Sequence, residues 1–261
     1  MAMEKGVPIR AITRGLAVLQ AINRGGSITM MEIARSSQVP YPTACRIVQT
    51  LLHEGVIERE PARKRYRATA LVQTLASGYH DDSQLVAVAR PHIEALCEKL
   101  LWPISITSRV GAHMMVRDST HTMTSLTLNN YYPGFTLPIM ECSSGKAYMA
   151  FCADEERTHI IEGLRTIEGA AERMATLLLS QDKLLRDIRA QGYATQSRNA
   201  YTANPGKTSS IAVPILRDGQ AVGALVLIFF SVAMPLEKAI DQYVEPLKAT
   251  ANLVSAALSK S

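Results

Sequence analysis

The stretch Thr29-Met30-Met31-Glu32-Ile33-Ala34-Arg35-Ser36-Ser37-Gln38-Val39-Pro40-Tyr41-Pro42-Thr43-Ala44-Cys45-Arg46-Ile47-Val48-Gln49-Thr50-Leu51-Leu52 decides the reading of this chain. Thr29 and Glu32 have capping-box spacing, in which each side chain satisfies a backbone N–H at a helix start, so a short helix is expected from about Met30 to Ser36. Ser37-Gln38-Val39 makes a turn. Pro42 suits the first turn of the next helix, where its missing N–H would have no partner anyway. That helix runs through Ile47, Val48, Leu51 and Leu52, and Gly55 is placed to end it. Two short helices joined by a tight turn, the second polar and basic outside, form the helix-turn-helix pattern. Its outer face presents Thr43, Arg46, Gln49 and Thr50: Arg forks to guanine, Gln to adenine, and Thr meets a phosphate or a thymine methyl.

Upstream, Thr13 to Ile22 reads as an amphipathic helix with Leu16, Leu19, Ile12 and Ile22 on one buried face, stopped by Gly25-Gly26. Downstream, Val56-Ile57-Glu58-Arg59 and Arg65-Tyr66-Arg67-Ala68 flank Pro61-Ala62-Arg63-Lys64 as a β-hairpin with a basic tip, a wing for the phosphate backbone. The residues expected at DNA are Arg14, Thr29, Tyr41, Thr43, Arg46, Gln49, Thr50, Arg63, Lys64 and Arg65. Charge agrees with this division. Residues 1–80 hold eleven Lys and Arg against five Asp and Glu, a balance of +6, while the rest of the chain carries −1. A basic small domain on a near-neutral larger one points to a polyanion partner for the first part only.

The length of 261 residues allows two ordinary domains, and 47% apolar with 20% charged residues is globular composition. No apolar run reaches membrane-spanning length, and Met1 to Arg10 lacks a signal-peptide core, so no membrane partner is expected. Cys45, Cys97, Cys142 and Cys152 show no metal or paired spacing, which fits a reduced cytoplasmic location. Neither metal nor cofactor is expected.

Beyond residue 70, Leu71 to Tyr79 reads as a short linker helix. A longer helix follows from about Gln84 to Leu101, kinked or restarted near Arg90 by Pro91. Strand-like runs come next, at Ile104 to Ser108, His113 to Arg117 and Met123 to Leu128. Helical patterns return between Gly145 and Ala190. Ser209 to Leu216 and Gln220 to Phe230 form a hairpin around Arg217-Asp218-Gly219, and a helix from Pro235 to about Leu258 closes the chain. The expected architecture is multidomain, α and α+β. A winged helix-turn-helix over 8–70 and a linker over 71–84 lead into an α+β domain over 85–261, its sheet built of consecutive antiparallel strands.

An enzyme is the rival reading. Cys142-Ser143-Ser144-Gly145-Lys146 lacks the Gly-x-Ser-x-Gly elbow of a hydrolase, although His159 is not far along the chain. His113 and His121 have no carboxylate or cysteine at metal-ligand spacing. Gly25-Gly26 precedes a serine rather than the lysine of a phosphate loop. No catalytic residue is assigned.

The order of the pieces resembles the isocitrate-lyase-regulator (IclR) family of transcription factors. Seven tracts carry it: Thr13 to Leu19, Pro42 to Leu51, Gly55 to Ile57, Ser144 to Ala147, Gly192-Tyr193, Ile211 to Ile215 and Val222 to Leu225. The resemblance implies a GAF-like effector-binding domain and a homodimer or homotetramer on a palindromic operator, with RNA polymerase as a partner if the protein activates. It implies an effector cup between the concave sheet face and the helix that opens at the Gly-Lys-Ala tract. That places Ile139, Ser144, Gly145, Gln196, Ser210, Val226 and Ile228 at the effector. Trp102-Pro103, Met115 to Asp118 and Thr120-His121 are similar to the branch that governs aromatic-acid catabolism, including that of hydroxyphenylpropionate. Val226 and Ile228 stand where relatives that sense small keto acids carry serine, and Gln196 replaces an acidic residue. Branched apolar chains in place of hydroxyls favour an effector with an apolar body, an aromatic carboxylate held at helix-start N–H groups; the alternative is that both are plain core residues.

Overall fold

A computed structural model describes residues 9–61, 63–75, 83–127, 131–165, 183–200 and 205–259. The chain divides into two compact units, Met1–Asp81 and Asp82–Ser261.

In the first unit, helices α1 (Arg10–Gly25), α2 (Met30–Ser37) and α3 (Tyr41–His53) pack around Val18, Ile22, Ile33, Ala44 and Val48. Strands β1 (Ile28–Thr29), β2 (Ile57–Arg59) and β3 (Arg65–Ala68) form an antiparallel sheet in the order β1-β3-β2, and α4 (Leu71–Thr74) follows. This is a winged helix-turn-helix. The capping box is formed: the Thr29 N–H donates to the Glu32 carboxylate at 2.7 Å, and Thr29 Oγ1 accepts from the Glu32 N–H. Gln38 ends α2 in a left-handed conformation (φ 55°), and Gly55 (φ 70°) turns the chain out of α3.

One face assignment is overturned. Val18, Ala21 and Ile22 are buried in α1 and Leu19 is half-buried, whereas Ile12 and Leu16 are more than half exposed. At 100° per residue, Ile9, Ile12 and Leu16 lie roughly opposite Val18 and Ile22. The helix carries two apolar stripes, and the packing of α2 and α3 decides which is covered. The linker helix expected over Leu71 to Tyr79 is seen as α4, while residues 76–82 lie outside the described residues.

The second unit begins with α5 (Ser83–Leu100), β4 (Ile104–Val110), β5 (His113–Ser119) and β6 (Thr136–Pro138). A 3-10 turn (Ile139–Glu141), α6 (Ser143–Phe151) and α7 (Asp154–Arg165) follow. The helix α8 covers 183–191, and β7 (Ala194–Gln196), β8 (Thr208–Arg217), β9 (Gln220–Phe230) and α9 (Leu236–Leu258) complete it. The six strands are antiparallel throughout, in the order β6-β5-β4-β9-β8-β7. The strands are consecutive except at one junction. Two three-stranded meanders meet where β4 pairs with β9, Ser105 opposite Val226. Asp218 (φ 52°) and Gly219 (φ 78°) make the two-residue turn of the β8–β9 hairpin, with the positive φ at both positions that a type I′ turn requires.

Strand alternation sorts the side chains into two layers. Ile104, Ile106, Ile211, Val213, Leu225, Leu227 and Phe229 pack against α5 and α9. Val116, Thr208, Ser210, Val226 and Ile228 belong to the other face, which α6 covers. α5 runs unbroken through Pro91, contrary to a restart at Arg90. It is fastened there: Leu85, Ala89, Ile93 and Leu96 are buried, and Arg90 bonds both Glu94 and Asp118. The strand expected at Met123 to Leu128 is absent among the described residues, and β6 pairs with β5 instead. There the Thr124 hydroxyl donates to the Leu101 carbonyl and accepts from the Leu126 N–H, offering the backbone a local alternative to a ladder. No described helix is long and apolar enough to cross a membrane.

Candidate DNA surface and effector cavity

On α3, Ala44 and Val48 point into the core, which leaves Tyr41, Arg46, Gln49 and Thr50 exposed and Thr43 half-buried on the outer side. Arg14, Arg63 and Lys64 are also exposed. Thr50, Arg65 and Thr29 are engaged within the fold, the Thr50 hydroxyl donating to the Arg46 carbonyl at 3.1 Å. Arg65 donates from Nε and Nη2 to the Ser27 carbonyl at 3.1 and 2.9 Å and pairs with Glu32, so it braces the wing against the start of α2. The Thr29 hydroxyl is held by Glu32 in the cap.

In the second unit, the first turn of α6 sits over the sheet. Ser143 Oγ and Ser210 Oγ are 2.7 Å apart, linking the helix start to β8. Cys142 caps α6, its Sγ accepting from the Gly145 N–H at 3.4 Å and lying 3.3 Å from Ser144 Oγ. Burial pushes the Cys142 thiol above its ordinary pKa, so it stays protonated. The N–H groups of Ser143 and Ser144, at the first two positions of the helix, have no intrahelical acceptor.

Beneath this turn lies a cavity of about 20 Å³, room for a single ordered water. Of the expected effector residues, Ser144, Ser210, Val226 and Ile228 line it. Ile139, Gly145 and Gln196 do not. Ile139 is fully buried in the core behind the helix. A Cβ on Gly145 would fall 1.7 Å from the Ile139 carbonyl oxygen, so this glycine serves the close packing of α6 on the 3-10 turn rather than ligand approach. Gln196 accepts from Lys146 Nζ at 2.6 Å at the sheet edge. The Lys146 ammonium also reaches the Thr195 carbonyl, and burial lowers its pKa.

The lining also includes Ser105, Thr107, Tyr131, Ser143, Asn199 and Thr208, none of which was expected. Alternation in β4 (Ile104-Ser105-Ile106-Thr107) and β8 (Thr208-Ser209-Ser210-Ile211-Ala212-Val213) carried the signal, a hydroxyl-bearing face opposite a branched apolar one. Most of the lining residues are of polar type, and several are already paired, which leaves the surface facing the cavity mainly apolar: Tyr131 pairs with Thr208, Thr107 with the Ala224 carbonyl, Ser105 with Ser119. Val116, Leu137, Val226 and Ile228 form the apolar remainder with Cys142.

The comparisons bear on both sites. Residues 11–61 match the IclR helix-turn-helix domain, and residues 77–256 match the C-terminal domain of the bacterial transcriptional regulator IclR. The chain belongs to the IclR family. The DNA-binding transcriptional repressor YiaJ of Escherichia coli K12 is 24% identical over 98% of this chain and 90% of its own length. The HTH-type regulator TsaQ1/TsaQ2 of Comamonas testosteroni is 22% identical over 60% of this chain, a match that spans 57% of that protein. An IclR homologue from Microbacterium hydrocarbonoxydans, solved as a complex with 4-hydroxybenzoate, has a TM-score of 0.65 at 23% identity, covering 96% of this chain and all of that one. The IclR-family chain is thus a DNA-binding transcriptional regulator and not an enzyme. The tracts that pointed to an aromatic-acid branch have structural work. Trp102 Nε1 donates to Tyr243 OH at 3.1 Å and packs edge-on against Phe229 and Phe230, and Asp118 anchors α5 through Arg90.

If the seat of α6 is as described, Gly145→Ala costs ~1–3 kcal/mol or more of unfolding free energy through overpacking against backbone. Urea denaturation of the full chain checks this, and a loss within ~0.5 kcal/mol, the range of an ordinary surface change, contradicts the seat.

Proposed function

We propose that this IclR-family regulator binds a palindromic operator as a homodimer, or as a pair of dimers. Its DNA binding, on this reading, is governed by an aromatic or arylalkyl carboxylate taken up under α6. The observation that carries the effector reading is the first turn of α6, with N–H groups of Ser143 and Ser144 lacking intrahelical acceptors, set across a cavity from Val226 and Ile228. Such N–H groups hold a carboxylate, and the branched chains supply a wall for a ring. A cavity of ~150 Å³ is of the size that holds benzene, so the closed space must widen several-fold as the ligand enters. The homologue complexed with 4-hydroxybenzoate supports the ligand class. The hydroxyl-rich lining favours a second reading, a small keto acid, which the titration below separates from the first.

The exposed stripe of Ile9, Ile12 and Leu16, with Leu71 and Leu75 exposed at and beyond α4, supports pairing of the DNA-binding units. A single winged helix on a short site binds weakly, and paired units read half-sites spaced by about a DNA turn.

Arg46→Ala is expected to weaken operator binding by ~1–3 kcal/mol, while Lys64→Ala weakens all DNA alike and flattens the salt dependence. Footprinting on the DNA upstream of the chain's own gene checks both. A single unpaired half-site, or a footprint unchanged in both variants, contradicts the reading.

Calorimetric titration of the full chain with 3-phenylpropionate, 4-hydroxybenzoate, pyruvate and glyoxylate tests the effector class. Aromatic acids are expected to bind and Val226→Ser to weaken them, since burial of a ring returns ~25 cal/mol per Å². Binding of the keto acids alone makes the second reading correct.

A further inference from the structure

A second cavity in the same unit lies between the β4–β5 turn and α7. It holds about 270 Å³ and is lined by Arg109, Gly111, Ala112, His159, Ile160 and Gly163. None of these residues lines the space under α6. In its present form it is the larger of the two, close to the ~300 Å³ lower bound of small-ligand pockets.

Its polar wall is built in advance. Arg109 donates from Nε to Glu156 at 2.9 Å and from Nη1 to the Gly111 carbonyl at 3.1 Å. The same Glu156 oxygen accepts from Tyr148 OH at 2.7 Å. The guanidinium is thereby fixed in place while its side chain remains 31% exposed. An arginine already held loses little side-chain freedom when it meets a ligand. Glu156 offsets part of its charge, which favours a singly charged partner over a dianion. Exposed His159 adds a ring nitrogen, and buried Ile160 with Ala112 supplies apolar surface.

Gly163 supplies an independent observation. It lies within α7, its φ is not positive, and a Cβ built on it meets nothing among the described residues within 4 Å. Glycine weakens a helix relative to alanine, and among the described residues no close packing requires it. What the missing side chain does is leave the helix side of the cavity open.

We propose that this cavity is a second small-molecule site, which binds an organic monocarboxylate. The carboxylate meets Arg109 and His159, and the small apolar body rests on Ala112 and Ile160. The site stands apart from the reading of the space under α6.

The test follows the His159 ring signal in the full chain, carrying ring-labelled histidine, as benzoate is added; loss of the signal in His159→Gln assigns it. A saturable shift is expected, at least tenfold weaker in Arg109→Gln and abolished in Gly163→Leu. Gly163→Leu fills the space from an exposed helix position and strengthens the helix, so folding is kept. Val226→Ser should leave the shift unchanged. The proposal is overturned by the absence of saturation, by equal binding in Gly163→Leu, by loss of the shift in Val226→Ser, or by inorganic phosphate binding as tightly as benzoate.

Discussion

The close approach of α6 to the 3-10 turn is the constraint on which the second unit is arranged. With no side chain at position 145, the helix backbone rests against the Ile139 carbonyl, and Cys142 is left to cap the helix through sulfur. That contact sets how low the first turn lies over the sheet. Ser143 then reaches Ser210 on β8, and Lys146 reaches Thr195 and Gln196 on β7. The cavity is small because these three attachments hold the helix down.

The attachments differ in what their loss costs. A buried hydroxyl pair contributes ~0.5–1.5 kcal/mol net, and parting it without replacement costs more. On the proposed reading, a carboxylate that accepts from Ser143 would replace the bond it breaks, so the turn would lift at modest cost. Lys146 holds its half-buried ammonium on neutral oxygens, so it tethers α6 to the sheet edge without a fixed ion pair. The far layer offers no comparable freedom. Ile104, Ile106, Leu225, Leu227 and Phe229 are sealed against α5 and α9, and Arg90 with Asp118 ties α5 to β5. On the proposed reading, movement on ligand entry is confined to the α6 side of the sheet.

Local chemistry was legible wherever one short tract sufficed. The Thr29–Glu32 cap, the turn at Gln38, the polar face of α3 and the Asp218-Gly219 hairpin all follow from a few adjacent residues, and each is formed. What depended on distant partners was not legible. The stripe of α1 that goes inside is chosen by α2 and α3, so Ile12 and Leu16 read as core and lie exposed. Met123 to Leu128 has strand composition, but the Thr124 hydroxyl competes for the backbone and β6 takes the sheet edge. In the cavity, Val226 and Ile228 were found through the resemblance. Tyr131, Ser143 and Thr208 enter it from a loop, a helix and a strand, a convergence that spacing along the chain does not reveal. Gly145 was placed at the effector by the resemblance, and only the position of the Ile139 carbonyl shows that the glycine serves helix packing.

On the proposed reading an effector acts by binding at the first turn of α6, where amide hydrogen exchange of the full chain reads it out. With saturating 3-phenylpropionate, slower exchange is expected at Ser143 and Ser144, whose N–H groups gain an acceptor, together with altered exchange across 208–212 on β8. Unchanged exchange at Ser143 and Ser144, with protection arising at another element while the ligand is bound, would contradict it.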